Sequence, residues 1–236
     1  MSFESYIEEN IFYKLDMNDS TFEQPLPDEL ADVVAKPYRY VDGEYKEASF
    51  DYMPAPAGGM SSSASDMAKF MIAYLQDGKF KDESILKEET VNQMFDQQFT
   101  HYPSLNGMAL GFIKGNMHDQ RILMHGGSTM LYNSLLVLMP EESLGIFMSY
   151  SGGDHFLHNE VMQMFMDKFY PKEDTVFAPM QEDSKDLKKY AGEYHQNRKS
   201  LTTDDKFTSL QIGVIQVKVK DDQLLVTHMG SRARCI

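Results

Sequence analysis

The sequence predicts an α+β fold, in which an antiparallel sheet is flanked by helices and followed by a small all-β segment. Three observations predict it. Apolar residues recur at helical spacing in two early segments, the apolar period becomes that of strands from residue 108, and a strand hairpin near residue 140 precedes another helix. A helix after a hairpin indicates a sheet covered by helices.

The N-terminal part begins with a predicted helix over residues 2–12, which Ser2 can cap. A polar, proline-bearing region follows to about residue 56. It is too rich in tyrosine and phenylalanine for a disordered linker, and Asp42-Gly43 indicates a turn within it. We therefore expect this region to be ordered. The tyrosines of "YRYVDGEY" are interpreted as packing a loop, and the alternative is that they line a substrate cleft.

The stretch "SASDMAKFMIAYLQDG" has the clearest helical pattern. Ser63 with Asp66 fits a capping box, and Gly78 suits a C-terminal cap. The pair Ser65 and Lys69 predicts an ordinary helix surface, with Lys69 on the solvent side. The apolar stripe comprises Met67, Phe70, Met71, Tyr74 and Leu75. A second short helix is predicted for "KEETVNQMF".

Four strands are predicted after residue 108, for "MALGFIKG", "QRILMH", "YNSLLVLMP" and "SLGIFMSY". The last two are close enough along the chain to form an antiparallel hairpin. The helix pattern of "DHFLHNEVMQMFMDKFY" follows, and its predicted apolar face comprises Leu157, Val161, Met164 and Phe165. Residues 173–186 are acidic and contain proline, which indicates a linker between a first domain over 1–172 and an all-β segment over 187–236.

Composition and charge narrow the possible functions. The formal net charge of −14 makes nucleic acid and anionic membrane surfaces unfavourable partners. Cys235 is the only cysteine, so neither an internal disulfide nor a cysteine-based metal site can form. We expect no membrane-spanning segment, no signal peptide and a soluble chain, although its compartment is not specified.

The tripeptide His125-Gly126-Gly127 is the clearest candidate for chemistry. Glycines at a strand end let a ligand approach the backbone, and a histidine offers a hydrogen bond or a charge near neutral pH. Free N–H groups of a strand edge can stabilise an oxyanion. The alternative is a bulge or turn without function.

Four stretches in order carry a family resemblance: "SFESYIEENIFYKLDMNDSTF", "PAGGMSSSASDMAKFM", "MALGFIKG" and "MHGGSTMLYNSLLVLMPEESLGIFMSYSGG". Together they resemble the serine β-lactamase and penicillin-binding-protein-like hydrolases, the group that includes class C β-lactamases. Lys14-Leu15-Asp16-Met17 departs at two positions from that family's Pro-Leu-Gly-Met. The stretch from "YAGEY" onward is similar to a small β-barrel-like domain often appended to such hydrolases.

The resemblance implies a sandwich of the β-lactamase/transpeptidase type, with His-Gly-Gly on the edge strand beside the active site. His125 would then orient or polarise the catalytic groups, and Gly126 and Gly127 would leave room for substrate. The backbone near Ser128 and Thr129 would supply an oxyanion donor. The implied substrate is a β-lactam, a D-Ala peptide or an ester, and no metal or organic cofactor is implied.

The family's nucleophile, a serine in Ser-x-x-Lys, and its Tyr-x-Asn motif are both expected ahead of the first helix. The chain is therefore expected to be the C-terminal portion of such a domain, without activity of its own. Exposed sheet would then favour an oligomer or a swapped assembly. A non-catalytic binding or interaction fragment is the alternative function.

Two short matches are interpreted as accidental. Ser84-Ile85-Leu86-Lys87 and Ser104-Leu105-Asn106 fit the motifs by letter, but both lie in surface or loop sequence. A remodelled hydrolase that uses Ser84 or Ser104 stays open as a third hypothesis. His155, His158 and Glu160 lack further metal ligands, so we interpret them as helix surface.

Overall fold

The structure is a computed structural model, and it describes residues 1–50, 52–103, 105–152, 157–172, 184–195, 202–208, 214–220, 223–227 and 234–235. The chain divides into two compact units, Met1–Glu173 and Asp174–Ile236. The two units are described separately below.

The first unit begins with the predicted N-terminal helix. Helix α1 (Phe3–Ile7) continues as a π-helical turn over Glu8–Phe12. Ser2 caps its start, since its hydroxyl accepts the Ser5 N–H at 3.2 Å. Next come the short helix α2 (Asp28–Ala31) and a hairpin of strands β1 (Tyr38–Val41) and β2 (Glu44–Glu47). The turn predicted at Asp42-Gly43 closes this hairpin with positive φ angles.

The second predicted helix is confirmed as α3 (Ala64–Leu75). Ser63 caps it by accepting the Asp66 N–H at 3.2 Å, and Gly78 lies just beyond its end with φ +88°. A small hairpin of β3 (Lys79–Phe80) and β4 (Glu83–Ser84) leads to helix α4 (Glu88–Phe95).

The main sheet has four antiparallel strands in the order β5-β6-β7-β8. Their bounds are β5 Ile113–Met117, β6 Gln120–Ser128, β7 Tyr132–Met139 and β8 Leu144–Ser151. A 3-10 turn over Pro140–Glu142 joins β7 to β8, which confirms the predicted hairpin.

Helices cover both faces of this sheet. On one face Leu123, Leu136 and Leu138 share a core with α3, α4 and the N-terminal helix. On the other face helix α5 (Leu157–Phe169) packs through Met162 and Met166 onto a second core. These layers confirm the predicted α+β class.

The predicted buried face of α5 is wrong in part. Leu157, Val161 and Met164 are exposed, and only Phe165 of the predicted set packs against the core. The helix is apolar on more than one side, so its period alone does not select the side that meets the sheet.

The second unit contains an antiparallel sheet in the order β12-β11-β10-β9. Helix α6 (Ser184–Leu187) and a 3-10 turn precede strand β9 (Gly192–Tyr194), and another 3-10 turn over Asp204–Thr208 follows it. The remaining strands are β10 Ile215–Lys220, β11 Gln223–Thr227 and β12 Arg234–Cys235.

Candidate active site

The His-Gly-Gly tripeptide lies within strand β6, which continues through both glycines to Ser128. Pairing with β7 extends to Ser128 opposite Asn133, whereas pairing with β5 ends at Met124 opposite Ile113. Strand β6 is therefore internal up to Met124. From His125 to Gly127 its outer edge is not covered by β5, which leaves an edge of the kind that an extended acyl substrate could line.

His125 lies at the margin of the larger core. It is opposite Leu136 in the register, and it alternates onto the same sheet face as Leu123. Leu123 and Leu136 are buried under α3 and the N-terminal helix, whereas His125 is exposed. The imidazole thus emerges where that helical cover ends.

The two glycines have different surroundings. A Cβ on Gly127 would lie 2.7 Å from the Ser134 Oγ, so the hydroxyl occupies the space that a side chain would need. A Cβ on Gly126 would meet nothing closer than the Ser134 carbonyl oxygen at 3.9 Å. Gly127 therefore permits a close cross-strand approach, and Gly126 leaves open space.

Ser128 and Thr129 build the turn from β6 to β7. The Ser128 hydroxyl donates to the buried Asn133 side chain at 2.7 Å. The Thr129 Oγ1 accepts the N–H groups of Leu131 and Tyr132 at 3.2 and 3.0 Å, and the Thr129 N–H donates to the Tyr132 carbonyl at 2.9 Å. The Thr129 N–H therefore already has a partner within the turn.

The structure also brings the early β1–β2 hairpin to this end of the sheet. The Tyr132 hydroxyl donates to the Ala35 carbonyl at 2.7 Å, and the Ser151 hydroxyl donates to the Lys36 carbonyl at 3.1 Å. A Cβ on Gly152 would lie 3.2 Å from the Tyr38 carbonyl oxygen. These contacts fix the start of the hairpin against the ends of β7 and β8.

Sequence reasoning did not identify Tyr132, Ser134 or Phe50 as neighbours of the site. The alternation of "YNSLLVLMP" could have placed Tyr132 and Ser134 on the face of His125, but only with the register of β6 against β7 in hand. No local signal brings Phe50 to Tyr132, because they are far apart in sequence and meet only in the fold, at 6.0 Å between ring centroids.

The sequence indicates Asp66 only as a capping residue, and the structure gives its side chain a further role. Its carboxylate is 1% exposed and accepts from the Asp19 N–H, the Ser20 hydroxyl and the Lys69 ammonium. The prediction that Lys69 lies on an ordinary helix surface is wrong, since Lys69 pairs with Asp66 at 2.8 Å and its side chain is only 28% exposed. This network anchors α3 to the N-terminal loop.

Of the two short matches to the family's motifs, the structure describes the serine of the first, Ser84. Ser84 lies in the β3–β4 hairpin, where its hydroxyl donates to the Leu86 carbonyl at 2.7 Å. That bond is typical of a turn residue. Ser104 and His155 lie outside the described residues. Elsewhere in the described part of the chain, no group of three or more His, Cys, Asp and Glu could hold a metal ion.

A cavity of about 560 Å³ opens beside the N-terminal helix. The His125-Gly126-Gly127 tripeptide is not part of its lining. Its wall consists of Glu4, Phe22, Glu23, Gln24, Pro25, Met53 and Ala55. The Gln24 side-chain amide holds that wall together, since it donates to the Met53 carbonyl at 2.7 Å and accepts the Met53 N–H at 3.1 Å.

Among the helices that the structure describes, none has both the length and the apolar character that a membrane span requires.

Comparison with known proteins places this geometry in a family. The family model described as Beta-lactamase matches residues 1–163. No curated protein matches the chain. A solved structure of the octameric penicillin-binding protein homologue from Pyrococcus abyssi is similar to it, with 23% identity and a TM-score of 0.60 over 100% of this chain and 50% of that one.

Two further solved structures are similar over 70% of this chain, each with 16% identity and a TM-score of 0.55. They are a class C beta lactamase from Rhodobacter sphaeroides, of which 53% is covered, and a penicillin binding protein from Bacillus halodurans, of which 50% is covered. The chain thus spans about half the length of these structures. The likeness confirms the expected β-lactamase/transpeptidase type of fold.

Proposed function

Since this chain belongs to the beta-lactamase family, we propose that it forms one wall of the acyl-transfer site of a serine hydrolase. The observation that carries the proposal is the outer edge of β6, which β5 leaves uncovered from His125 to Gly127 beside an exposed imidazole. An ester, β-lactam or D-Ala peptide would lie along this edge as an added strand.

Each residue of the wall has a separate role in this proposal. His125 orients or polarises the catalytic groups, Gly126 and Gly127 admit the substrate backbone, and N–H groups near Ser128 stabilise the oxyanion. Thr129 shapes the turn that holds this backbone in place. No step requires a metal or an organic cofactor.

The attacking serine and its lysine belong, in this proposal, to polypeptide outside the 236 residues. Ser84 supports this assignment, because its hydroxyl donates to the Leu86 carbonyl just after strand β4. The chain alone then catalyses no acyl transfer. We assign the β-lactamase-like portion to residues 1–172, a linker to 173–186 and a partial appended domain to 187–236, a division supported by the separate C-terminal sheet.

Two measurements test this function. Adding N-acetyl-D-alaninamide to the purified chain should shift the His125 ring signals in NMR spectra, and the L-enantiomer should shift them less. Hydrolysis of nitrocefin and p-nitrophenyl acetate should stay at the level of the Ser84→Ala variant. Turnover that disappears in Ser84→Ala would instead favour a remodelled hydrolase.

A non-catalytic binding fragment is the second candidate, and the same exposed edge favours it because binding along β6 requires no nucleophile. We also propose that the chain self-associates through its sheet. In support, strand β8 pairs with β7 alone among the described strands.

A further inference from the structure

The core between the main sheet and helix α5 is built largely from methionine. Each of the four strands contributes one methionine to the face beneath the helix, and α5 contributes two. Methionine is also the most frequent residue among the described members of this core. We define these six residues as the methionine interface: Met117, Met124, Met139 and Met148 of the sheet, with Met162 and Met166 of α5.

The members of the methionine interface differ in exposure. Met139 and the two methionines of α5 are at most 2% exposed. The other three, Met117, Met124 and Met148, are half-buried and pack against the buried members. A small oxidant in solution therefore reaches these three thioethers first, and the buried ones are protected as long as α5 stays on the sheet.

Oxidation of these thioethers would place a polar group in an apolar core. A buried sulfoxide oxygen needs a hydrogen-bond donor, but the neighbouring side chains of Ile122, Leu135 and Val137 cannot donate one. Methionine sulfoxide is also less flexible in how it packs, because its sulfur is chiral as well as polar. The oxidised interface therefore disfavours the contact between α5 and the sheet.

Polar contacts at both ends of α5 limit what the loss of this packing can do. Near its start the Tyr150 hydroxyl and the His158 Nδ1 are 3.2 Å apart, and just after its end the His118 Nδ1 lies 2.8 Å from the Tyr170 carbonyl oxygen. Neither contact involves a thioether. The middle of the helix would thus separate from the sheet while its ends stay attached, and the larger core on the opposite face would keep its packing with α3.

We propose that the methionine interface is an oxidation site at which hydroperoxides release helix α5 from the sheet. In each step the peroxide O–O bond breaks, its terminal oxygen forms a bond to the methionine sulfur, and the proton of that oxygen passes to the departing oxygen. The thioether is oxidised by two electrons to the sulfoxide, and the hydroperoxide is reduced to an alcohol, or to water when it is hydrogen peroxide. No group of the acyl-transfer site takes part, so the inference is independent of the function proposed above.

The test treats the purified 236-residue chain with hydrogen peroxide and follows it by mass-spectrometric peptide mapping and by amide hydrogen exchange. We expect sulfoxide at Met117, Met124 and Met148 before it forms at the buried methionines of α5. The α5 amides should then exchange at least about tenfold faster, whereas the α3 amides should keep their protection. Methionine sulfoxide reductases that act on both sulfoxide epimers should restore the protection of α5.

Leucine variants test whether the interface thioethers cause the change. The combined variant Met117→Leu, Met124→Leu, Met148→Leu keeps the apolar volume and removes the three accessible thioethers, so peroxide should leave its α5 exchange unchanged.

The matched control is the combined variant Met60→Leu, Met130→Leu, Met164→Leu. It replaces three exposed methionines outside the interface, one of them on α5 itself, and should respond to peroxide like the wild type.

Three results would overturn the proposal: sulfoxide confined to methionines outside the interface, unchanged α5 exchange once the interface is oxidised, or the same acceleration in the interface variant as in the wild type. If that variant does not fold, the wild-type time course decides alone. Faster α5 exchange before any interface sulfoxide forms, or an equal acceleration in α3, would then overturn it, as would α5 protection that stays lost after the sulfoxides are reduced.

Discussion

At the residue scale, the two glycines of the tripeptide have different surroundings, which the sequence alone does not distinguish. Gly127 makes room for the Ser134 hydroxyl, whereas Gly126 faces open space. Packing against the neighbouring strand therefore explains Gly127, whereas no close contact in the structure requires a glycine at position 126.

Gly127→Ala should lower the free energy of unfolding by about 1 kcal/mol, because the new methyl group forces the Ser134 side chain out of its place. Gly126→Ala should be neutral or slightly stabilising, since its Cβ meets no close atom and alanine reduces the entropy of the unfolded chain. Urea unfolding of both variants checks this. The double variant Gly127→Ala, Ser134→Ala should recover the loss, and equal losses in the two single variants would contradict the explanation.

Asp66→Asn should cost roughly 2–3 kcal/mol of unfolding free energy. The carboxylate is 1% exposed and holds the Lys69 ammonium, so the amide leaves a partly buried charge without its partner. Urea midpoints measure the loss. The control is Glu47→Gln, which removes an exposed partner of Lys36 and should leave the midpoint unchanged. A similar midpoint in Asp66→Asn and the wild type would mean that the network does not anchor α3.

The contrast between His125 and Asp66 explains what the sequence could reveal at this scale. His125 stands in a His-Gly-Gly motif, so the sequence alone identifies it as a candidate site residue. Asp66 was identified only as a capping residue, because its other partners, Asp19 and Ser20, approach from a loop more than forty residues away in sequence. Contacts of that kind depend on tertiary packing and leave no local pattern.

At the scale of elements, the turn that follows helix α3 limits which residues can replace Gly78. Gly78 follows the helix with φ +88°, and a Cβ there would lie 2.4 Å from the Leu86 carbonyl oxygen. Gly43, in the β1–β2 hairpin, has nearly the same φ of +86° but nothing within 4 Å. The two glycines therefore share a backbone conformation and differ in their neighbours.

Gly43→Ala should cost about 1 kcal/mol, the ordinary penalty of a left-handed conformation. Gly78→Ala should cost at least about 2 kcal/mol, since a backbone oxygen cannot move aside without shifting the chain. Thermal or urea unfolding measures both losses. Equal losses of unfolding free energy in Gly43→Ala and Gly78→Ala would show that the close approach to the Leu86 carbonyl does not add to the cost at position 78.

The link between Arg121 on β6 and Glu141 in the β7–β8 turn predicts a pH dependence. Burial would raise the pKa of Glu141, but its hydrogen bonds with Arg121 and the backbone, with the nearby charges of Arg121 and Lys114, lower that pKa overall. The folded pKa is then below the ordinary value of 4.5, so the stabilisation is present above pH 4.5 and is lost as the pH falls further.

Glu141→Gln should therefore destabilise the chain at pH 7, by less than about 1 kcal/mol because the carboxylate is half exposed, and should have little effect at pH 3. Urea midpoints of the wild type and the variant at both pH values give the comparison. Glu44→Gln, at an exposed position of β2, is the control and should show no such pH dependence. The same difference at pH 7 and pH 3 would contradict the assignment.

Strands and helices were predicted where periodicity was strong, and the errors have physical causes. The strand "QRILMH" was expected to end at His125, yet β6 extends to Ser128 because β7 supplies a partner along the glycines. Pairing can hold residues of low strand propensity in a strand. For α5, the exposed Met164 and the buried Met166 are chemically equal, so only the sheet beneath the helix decides which one is covered.

At the scale of the whole molecule, the family and fold class followed from the order of four motifs, whereas the assembly of the site did not. The order of the four motifs can be read directly from the sequence. The approach of the β1–β2 hairpin to the end of β7 depends on the Tyr132 and Ser151 hydrogen bonds to backbone carbonyls, which any residue could offer. The sequence therefore predicts the strand that carries His125 and does not predict the hairpin that packs beside it.

The edge of strand β8 leads to the last prediction, which concerns self-association. The strand is eight residues long, contains no charged residue or proline, and pairs with β7 alone among the described strands. Such an edge is a template for another strand, and proteins usually block it with lysine or proline. The net charge of −14 opposes association at low salt, so oligomers should increase with both protein concentration and NaCl.

Light scattering after size-exclusion chromatography measures this self-association. Ser149→Lys should reduce the oligomer fraction, since Ser149 is exposed on β8 and a lysine there opposes edge pairing. Ser149→Ala is the matched control and should behave like the wild type, because it changes the same position without adding charge. A wild-type chain that stays monomeric at every concentration and salt would mean that this edge is covered by other means.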